Sequence, residues 1–202
     1  MGYPKAMLPF GPELMLQRIV RLLNELVSPI VVVAAHDQEL PDLPRDVLVA
    51  HDDRPEKGPL QGLYAGISQL VDHADAAYAT SCDVPLLEPA FVRYMIAQLG
   101  EAEIAVPVEE KFKHPLAAVY RTRLRTTIAQ LLWHENQLRP SYLFDHVKTT
   151  FVPVDDLRSV DPELRTLANL NHPADYLAAL ATAGFEASPE FMAKLGRTDA
   201  DR

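Results

Sequence analysis

Three stretches of this chain carry residue types able to do chemistry. The sharpest is Ser81-Cys82-Asp83-Val84-Pro85, which follows the short apolar run Ala76 to Ser81. Asp83 leaves that run with a stiff Val-Pro behind it, so its carboxylate emerges at a strand end. One carboxylate helped by ligand phosphates is a normal way to hold Mg²⁺, a hard cation that keeps several waters. An aspartate in this place equally suits a turn that caps the next segment. The second stretch is His51-Asp52-Asp53-Arg54-Pro55-Glu56-Lys57-Gly58-Pro59-Leu60-Gln61-Gly62. Gly58 and Gly62 flank a helix start, where free N–H groups can approach an anion closely; plain helix punctuation is the other reading. Adjacent side chains on an extended segment point apart, so His51, Asp52 and Asp53 suit a solvated turn better than a metal site. In the third stretch, Lys5 precedes the apolar Ala6-Met7-Leu8. A lone lysine is ordinarily a surface charge and gains meaning only beside a phosphate site. Cys82 reads as a small buried residue rather than a nucleophile. No G-x-S-x-G elbow is present, so a serine hydrolase has no support.

The elements that must position these stretches alternate in type. Ile19, Leu22, Leu23 and Leu26 repeat at helical spacing, with Pro12 placed where helix starts tolerate it. Ile30 to Ala35 is wholly apolar and β-branched-rich, which suits a strand covered on both faces. Further strands are expected at 47–50, 76–81, 103–108, 116–120 and 150–154. Helices are expected at 60–71, 88–99, 121–133 and 173–182, with a short one ending at 145. The pattern implies an α/β fold with a mostly parallel sheet, helices on both faces and an antiparallel excursion around residues 103–120. Ligands of such sheets bind beyond the carboxyl ends of the strands, where all three stretches fall. One domain is expected over residues 1–185, followed by a polar, mobile tail at 186–202.

Composition narrows the classes further. With 19 Lys plus Arg against 28 Asp plus Glu, the net charge is −9 over 202 residues, which argues against a nucleic-acid scaffold. An apolar share of 48% is ordinary for a globular chain. No apolar run approaches the roughly 18 to 20 residues that span a bilayer, and no charged-then-apolar leader opens the chain, so a cytoplasmic protein without a membrane role is expected. The single cysteine excludes an internal disulfide and a cysteine-built zinc site.

Taken in order, the motifs resemble the molybdenum cofactor guanylyltransferase family, within the wider group of nucleotidyltransferases. That family opens with a strand and a signature close to L-A-G-G-x-S-x-R-M-G-x-x-K-x-x-L. Met1-Gly2-Tyr3-Pro4-Lys5-Ala6-Met7-Leu8 matches its second half. Gly58-Pro59-Leu60-Gln61-Gly62 resembles the family's G-P-L-x-G, with Asp52 or Asp53 at its upstream aspartate. Cys82-Asp83-Val84-Pro85 resembles its C-D-x-P, and His114-Pro115-Leu116 its H-P segment. Asn169-Leu170-Asn171-His172-Pro173-Ala174-Asp175 resembles its N-x-N-T-P-x-D close. The match runs through about residues 1–180.

The resemblance implies a Rossmann-like nucleotidyltransferase fold and transfer of GMP from GTP to molybdopterin, with release of pyrophosphate. Mg²⁺ is the implied cofactor, and molybdoenzymes or other cofactor-biosynthesis proteins are the implied partners. Lys5 would contact nucleotide phosphates and Asp83 would hold Mg²⁺, making these two the catalytic pair. Asp52, Gly58, Pro59, Leu60 and Gly62 would line the nucleotide, with the helix start at Gly62 near the base. Asn169, Asn171 and Arg139 would border the metal or the second substrate, with Arg139 meeting a pterin phosphate. His114 has a structural reading, a ring hydrogen-bonded under the site. A related transferase using CTP or another nucleotide, and a non-catalytic nucleotide-binding paralogue, are the alternatives. The family's first strand, its two glycines and its arginine have no counterpart in the 202 residues. The expectation is therefore an N-terminally truncated form, with in-frame codons upstream of Met1 for the missing strand and loop.

Overall fold

Why the front of the chain does not run straight into a helix is a matter of two residues, Gly11 and Pro12. This computed structural model describes residues 3–52, 58–188 and Phe191. Gly11 has φ +65°, and a Cβ there would strike the Phe185 ring at 2.6 Å, so only glycine fits. The chain turns back on itself at Gly11-Pro12, pairing β1 (Pro9–Phe10) with β2 (Glu13–Leu14). Helix α1 begins only at Met15 and runs to Asn24. Pro12 thus sits in a hairpin turn, and the expected helix start there is corrected. Ile19, Val20 and Leu23 on α1 are buried as their spacing requires.

The middle of the chain supplies β3 (Val31–Ala35), β4 (Leu48–Asp52), α2 (Pro59–Leu70), β5 (Ala76–Thr80) and α3 (Pro89–Gln98). Then follow β6 (Ile104–Glu109), β7 (Phe112–Lys113), β8 (Ala117–Arg121) and α4 (Arg125–Trp133). β9 (Thr149–Pro153), the short α5 (Val154–Leu157) and α6 (Pro173–Thr182) complete it. The helix expected from Arg121 begins four residues later. Thr122 is held at the end of β8 by its N–H on the Asp75 carbonyl (3.0 Å) and its hydroxyl on the Ala74 carbonyl (2.7 Å). These bonds turn the chain through a 3₁₀ segment before α4 forms.

β5 and β6 are antiparallel to the intervening β8, and β9 joins β6 in parallel. β5, β6 and β9 therefore run one way, with β8 and the two-residue β7 reversed. Both faces of this sheet are apolar and both are covered. Ile104, Val106, Ala118 and Tyr120 pack with Leu60 and Ile67 of α2 and Ile128 and Leu131 of α4. The alternate residues Ala105, Ala117 and Val119 pack with Phe91 and Met95 of α3 and Leu157 of α5. Such period-two alternation with two buried faces is what short, unpunctuated apolar strands produce. The packed body passes residue 185: Phe191 is buried and stacks edge-on against Tyr176 at 5.7 Å and Tyr3 at 5.4 Å. The rest of the expected tail, at 189–190 and 192–202, lies outside the described residues. Among the described residues no helix is long and apolar enough to cross a membrane.

β3 and β4 pair in parallel, from Val31 opposite Leu48 to Ala35 opposite Asp52, and form a separate two-stranded sheet. Helix α2 bridges the two sheets, packing on β3, β4 and β5. Its approach to β3 is close: a Cβ on Gly66 would lie 3.1 Å from Val33 Cγ2, and one on Gly62 would lie 4.0 Å from Val33 Cγ1. Among the described residues, β3 has a ladder partner only in β4, and β5 only in β8. Every residue of β5 is only half-buried, whereas Ala117 to Tyr120 of β8 are all buried. An edge strand leaves alternate amides unpaired. Amide hydrogen exchange should therefore alternate between fast and slow along β3 and β5 and be uniformly slow along β8, which has neighbours on both sides. Uniform protection of Ala76–Thr80 would show that the second edge of β5 is covered.

Candidate functional site

Asp83 follows the carboxyl end of β5, and three parts of the chain converge on it. Asp83 is 8% exposed, so its carboxylate needs partners. It has three. Lys5 Nζ lies 2.7 Å from Oδ2, while Ser81 Oγ donates to Oδ1 at 2.5 Å and Asn169 Nδ2 donates to Oδ1 at 2.8 Å. Lys5 also donates to Asn171 Oδ1 at 3.1 Å. Four of the expected site residues, Lys5, Asp83, Asn169 and Asn171, thus form one cluster. Sequence separations of 78, 86 and 166 residues are closed within it.

Each member is held from behind. Lys5 opens a 3₁₀ turn, Lys5–Met7, in which Ala6 is buried and Met7 N–H bonds the Pro4 carbonyl at 3.0 Å. The loop after Asp83 is fastened to α1 by Arg18, whose Nε donates to the Pro85 carbonyl at 2.7 Å. That guanidinium sits over the Phe10 ring at 5.0 Å, and burial lowers its pKa. The Asn169–Asn171 segment docks through its own backbone, with Leu170 N–H on the Asp83 carbonyl at 2.9 Å. Asp175 closes the far end, its Oδ2 accepting the N–H groups of Asn171 (3.0 Å) and His172 (2.8 Å). Those two bonds hold the Asp175 carboxyl below the usual aspartate range. Ser81 and Arg18 were not singled out from the sequence. Only Ser81's place two residues before Asp83, on the same loop, signals its part.

The second stretch divides. Asp52 ends β4 in register with Ala35, half-buried, and the His36 and His51 rings stack at 4.7 Å and 10° beside it. Asp53 and 54–57 lie outside the described residues. Gly58 caps α2 with φ +72° and ψ −174°, a region closed to other residues, and a Cβ there would meet the Leu138 carbonyl at 3.1 Å. Pro59 is the exposed first helical residue. The expectation of free N–H groups at this helix start is corrected. Leu60 N–H donates to the Leu138 carbonyl at 3.2 Å, Gln61 N–H to Gly58 at 3.1 Å, and the Leu60 side chain is fully buried in the core. Gly62 faces Val33 across the helix–strand contact, where a Cβ would make only an ordinary 4.0 Å contact. Arg139 is exposed at the next position after Leu138 and starts a 3₁₀ turn, Pro140–Asp145. The structure thus sets Arg139 on the loop that meets Gly58, and none of its described contacts reaches Asp83.

Two further expectations concern buried groups. The His114 ring is not hydrogen-bonded as anticipated: Nε2 is enclosed without a partner, the ring meets Phe112 edge-on at 4.8 Å, and burial lowers its pKa. Cys82 is half-buried rather than fully enclosed. Burial raises its thiol pKa, and the neighbouring Asp83 charge raises it further.

The cluster lies past the carboxyl end of β5 in a mixed α/β fold, where ligands of such folds bind. A family profile described as the MobA-like NTP transferase domain matches residues 1–149, and the chain belongs to that family. A relative from Mycobacterium avium, named "Probable molybdenum cofactor guanylyltransferase", is 33% identical over 189 residues, covering 91% of this chain and 89% of its own. One of the same name from Methanosarcina acetivorans is 27% identical over 181 residues, covering 85% of this chain and 80% of its own. Among solved structures, molybdopterin-guanine dinucleotide biosynthesis protein A from Archaeoglobus fulgidus superimposes with TM-score 0.72 at 16% identity, over 91% of this chain and 92% of that one. The Thermus thermophilus 2-C-methyl-D-erythritol 4-phosphate cytidylyltransferase does so with TM-score 0.64 at 15% identity, over 89% and 94%. Those two likenesses are of fold.

Two substitutions check this geometry. Gly58→Ala forces a side chain into a glycine-only conformation against a main-chain carbonyl, so denaturant unfolding should show a loss of about 1–3 kcal/mol. For Asp175 the sign follows from its lowered pKa. Its contribution is complete above the ordinary aspartate range and disappears as pH falls through the lowered value. The melting temperature of the parent should therefore exceed that of Asp175→Asn at neutral pH, with the gap closing in acid. A gap that does not change with pH would mean the carboxylate charge plays no part.

Proposed function

We propose that the chain transfers GMP from GTP to the terminal phosphate of molybdopterin, forming the guanine dinucleotide cofactor and releasing pyrophosphate. The observation that carries this is the Lys5–Asp83–Asn169–Asn171 cluster, in a chain of the MobA-like family. The names of the curated relatives support the same acceptor and nucleotide. The reaction asks for no protein nucleophile, because an oxygen of the acceptor phosphate attacks the α-phosphorus and the β-phosphate oxygen leaves with the electron pair. What the protein supplies is alignment and charge neutralisation. Pyrophosphate departs with added negative charge, and the Lys5 ammonium is the cation this cluster presents to it.

The donor set also fits Mg²⁺. A buried carboxylate and an asparagine amide oxygen are both hard oxygen donors, as that ion prefers, while the Ser81 hydroxyl is engaged by Asp83. No group of three or more His, Cys, Asp or Glu able to hold a metal occurs among the described residues, and ligand phosphates and water would complete the shell. Asp83 would be its protein ligand, and when bound the ion neutralises phosphate charge. Local positive charge of this kind lets a chain of net charge −9 accept polyanions. The setting proposed is the cytoplasm, with molybdoenzymes or cofactor-biosynthesis proteins receiving the product.

The test uses the enzyme as produced from its own gene, with GTP, molybdopterin and Mg²⁺, reading dinucleotide formed and pyrophosphate released. Asp83→Asn keeps the size and removes the charge, so turnover should fall by about 10²-fold, equivalent to about 2.7 kcal/mol. Transfer at the parent rate under limiting Mg²⁺ would remove Asp83 from the reaction. Faster transfer from CTP would keep the mechanism and reassign the base. Nucleotide binding with no transfer would make the chain a binder.

A further inference from the structure

Ser81 reaches the same carboxylate oxygen as Asn169, and the direction of its proton can be worked out. A hydroxyl has one proton to donate and lone pairs to accept with. Asn169 Nδ2 lies 3.4 Å from Ser81 Oγ as well as 2.8 Å from Asp83 Oδ1. With that N–H on its oxygen side, Ser81 directs its proton to Asp83 Oδ1, at 2.5 Å. The other oxygen, Oδ2, is met by Lys5. The carboxylate is therefore split by partner, with one oxygen gripped by two neutral donors and the other held by the Lys5 ammonium. Ser81 can do this because its main chain is fixed. Thr80 before it pairs with Ala117 in the β5–β8 ladder, and the Asp83 carbonyl after it receives Leu170 N–H.

Resting on the nucleotidyl transfer proposed above, we propose that Ser81 is a positioning residue. Its hydroxyl locks the rotation of the Asp83 side chain, keeping Oδ1 on Ser81 and Asn169 and leaving Oδ2, beside Lys5, as the oxygen that would meet a divalent cation. Ser81 touches neither substrate; it acts through Asp83. An aspartate free to rotate would present either oxygen and pay an ordering entropy at each binding event. Loss of one hydrogen bond to a charged group is a tenfold-scale effect.

The probe is Mn²⁺, followed by electron paramagnetic resonance in the presence of GTP, together with steady-state transfer by the enzyme as produced from its own gene. Ser81→Ala should raise the Mn²⁺ half-saturation about tenfold and lower kcat about tenfold, leaving KM for GTP within about twofold. Ser81→Thr, which keeps the hydroxyl, should recover both readouts to within about threefold. Ser81→Val has the shape of threonine without the hydroxyl, and should behave as alanine does. This pair separates the hydroxyl from packing even if the alanine variant melts early. Parent-like Mn²⁺ binding and kcat in both Ser81→Ala and Ser81→Val would overturn the proposal, as would equal impairment of Ser81→Thr and Ser81→Val. If the parent transfers no nucleotide but the Mn²⁺ affinities still divide threonine from valine, the positioning role stands and the transfer reading falls.

Discussion

A carboxylate taken out of water must be met by hydrogen-bond donors or a cation, or it costs several kcal/mol. Asp83 meets that requirement with groups from the first turn of the chain, from its own loop and from the segment before the last helix. Because these groups come from distant parts of the sequence, the cluster can form only when the fold is complete. It works in reverse as well: Leu170 on the Asp83 carbonyl and Arg18 on the Pro85 carbonyl tie the same three regions together through main chain. The residues proposed for chemistry are thus also a fastening between α1, the β5 loop and the approach to α6.

The sheet on which this cluster rests is in two pieces. Ile30 and Val32 share a core cluster with Val84, Leu87 and Val92, and Tyr78 of β5 packs against it. Side-chain packing and helix α2 therefore join β3–β4 to the larger sheet, with no hydrogen-bonded ladder between them among the described residues. That explains the small residue at the closest point of α2. Gly66 lets the helix axis come close to Val33, and close contact over a short helix is what holds the smaller sheet. The half-burial of all of β5 and the buried, unpartnered Tyr78 hydroxyl fall at the same junction.

Charge follows the same local logic. The chain is acidic as a whole, and several exposed ion pairs, such as Arg21 with Glu13 and Arg123 with Glu103, neutralise each other on the surface. Exposed pairs of this kind contribute little to stability. Lys5 differs because its partner is buried and because Asn171 holds it from a second side.

The sequence by itself determined the order and type of the longer elements, since apolar periodicity reports which faces are buried; the short β1, β2, β7 and α5 carry no such period. It also singled out Lys5, Asp83, Asn169 and Asn171, because the motifs around them occur in family order, and the fold brings these four together. It misplaced Pro12, because a proline that suits a helix start also suits a turn, and only the Phe185 ring packed on Gly11 decides which. It made the α2 amides available to a ligand, because nothing local reveals that Leu138, far along the chain, would occupy Leu60 N–H. It passed over Ser81, a common residue in an ordinary loop. A hydroxyl becomes directional only when a donor such as Asn169 arrives from 88 residues away. Periodicity and motif order are properties of neighbouring residues and can be read along the chain. Which donor meets which acceptor is set by distances in space, and only the tertiary structure fixes those.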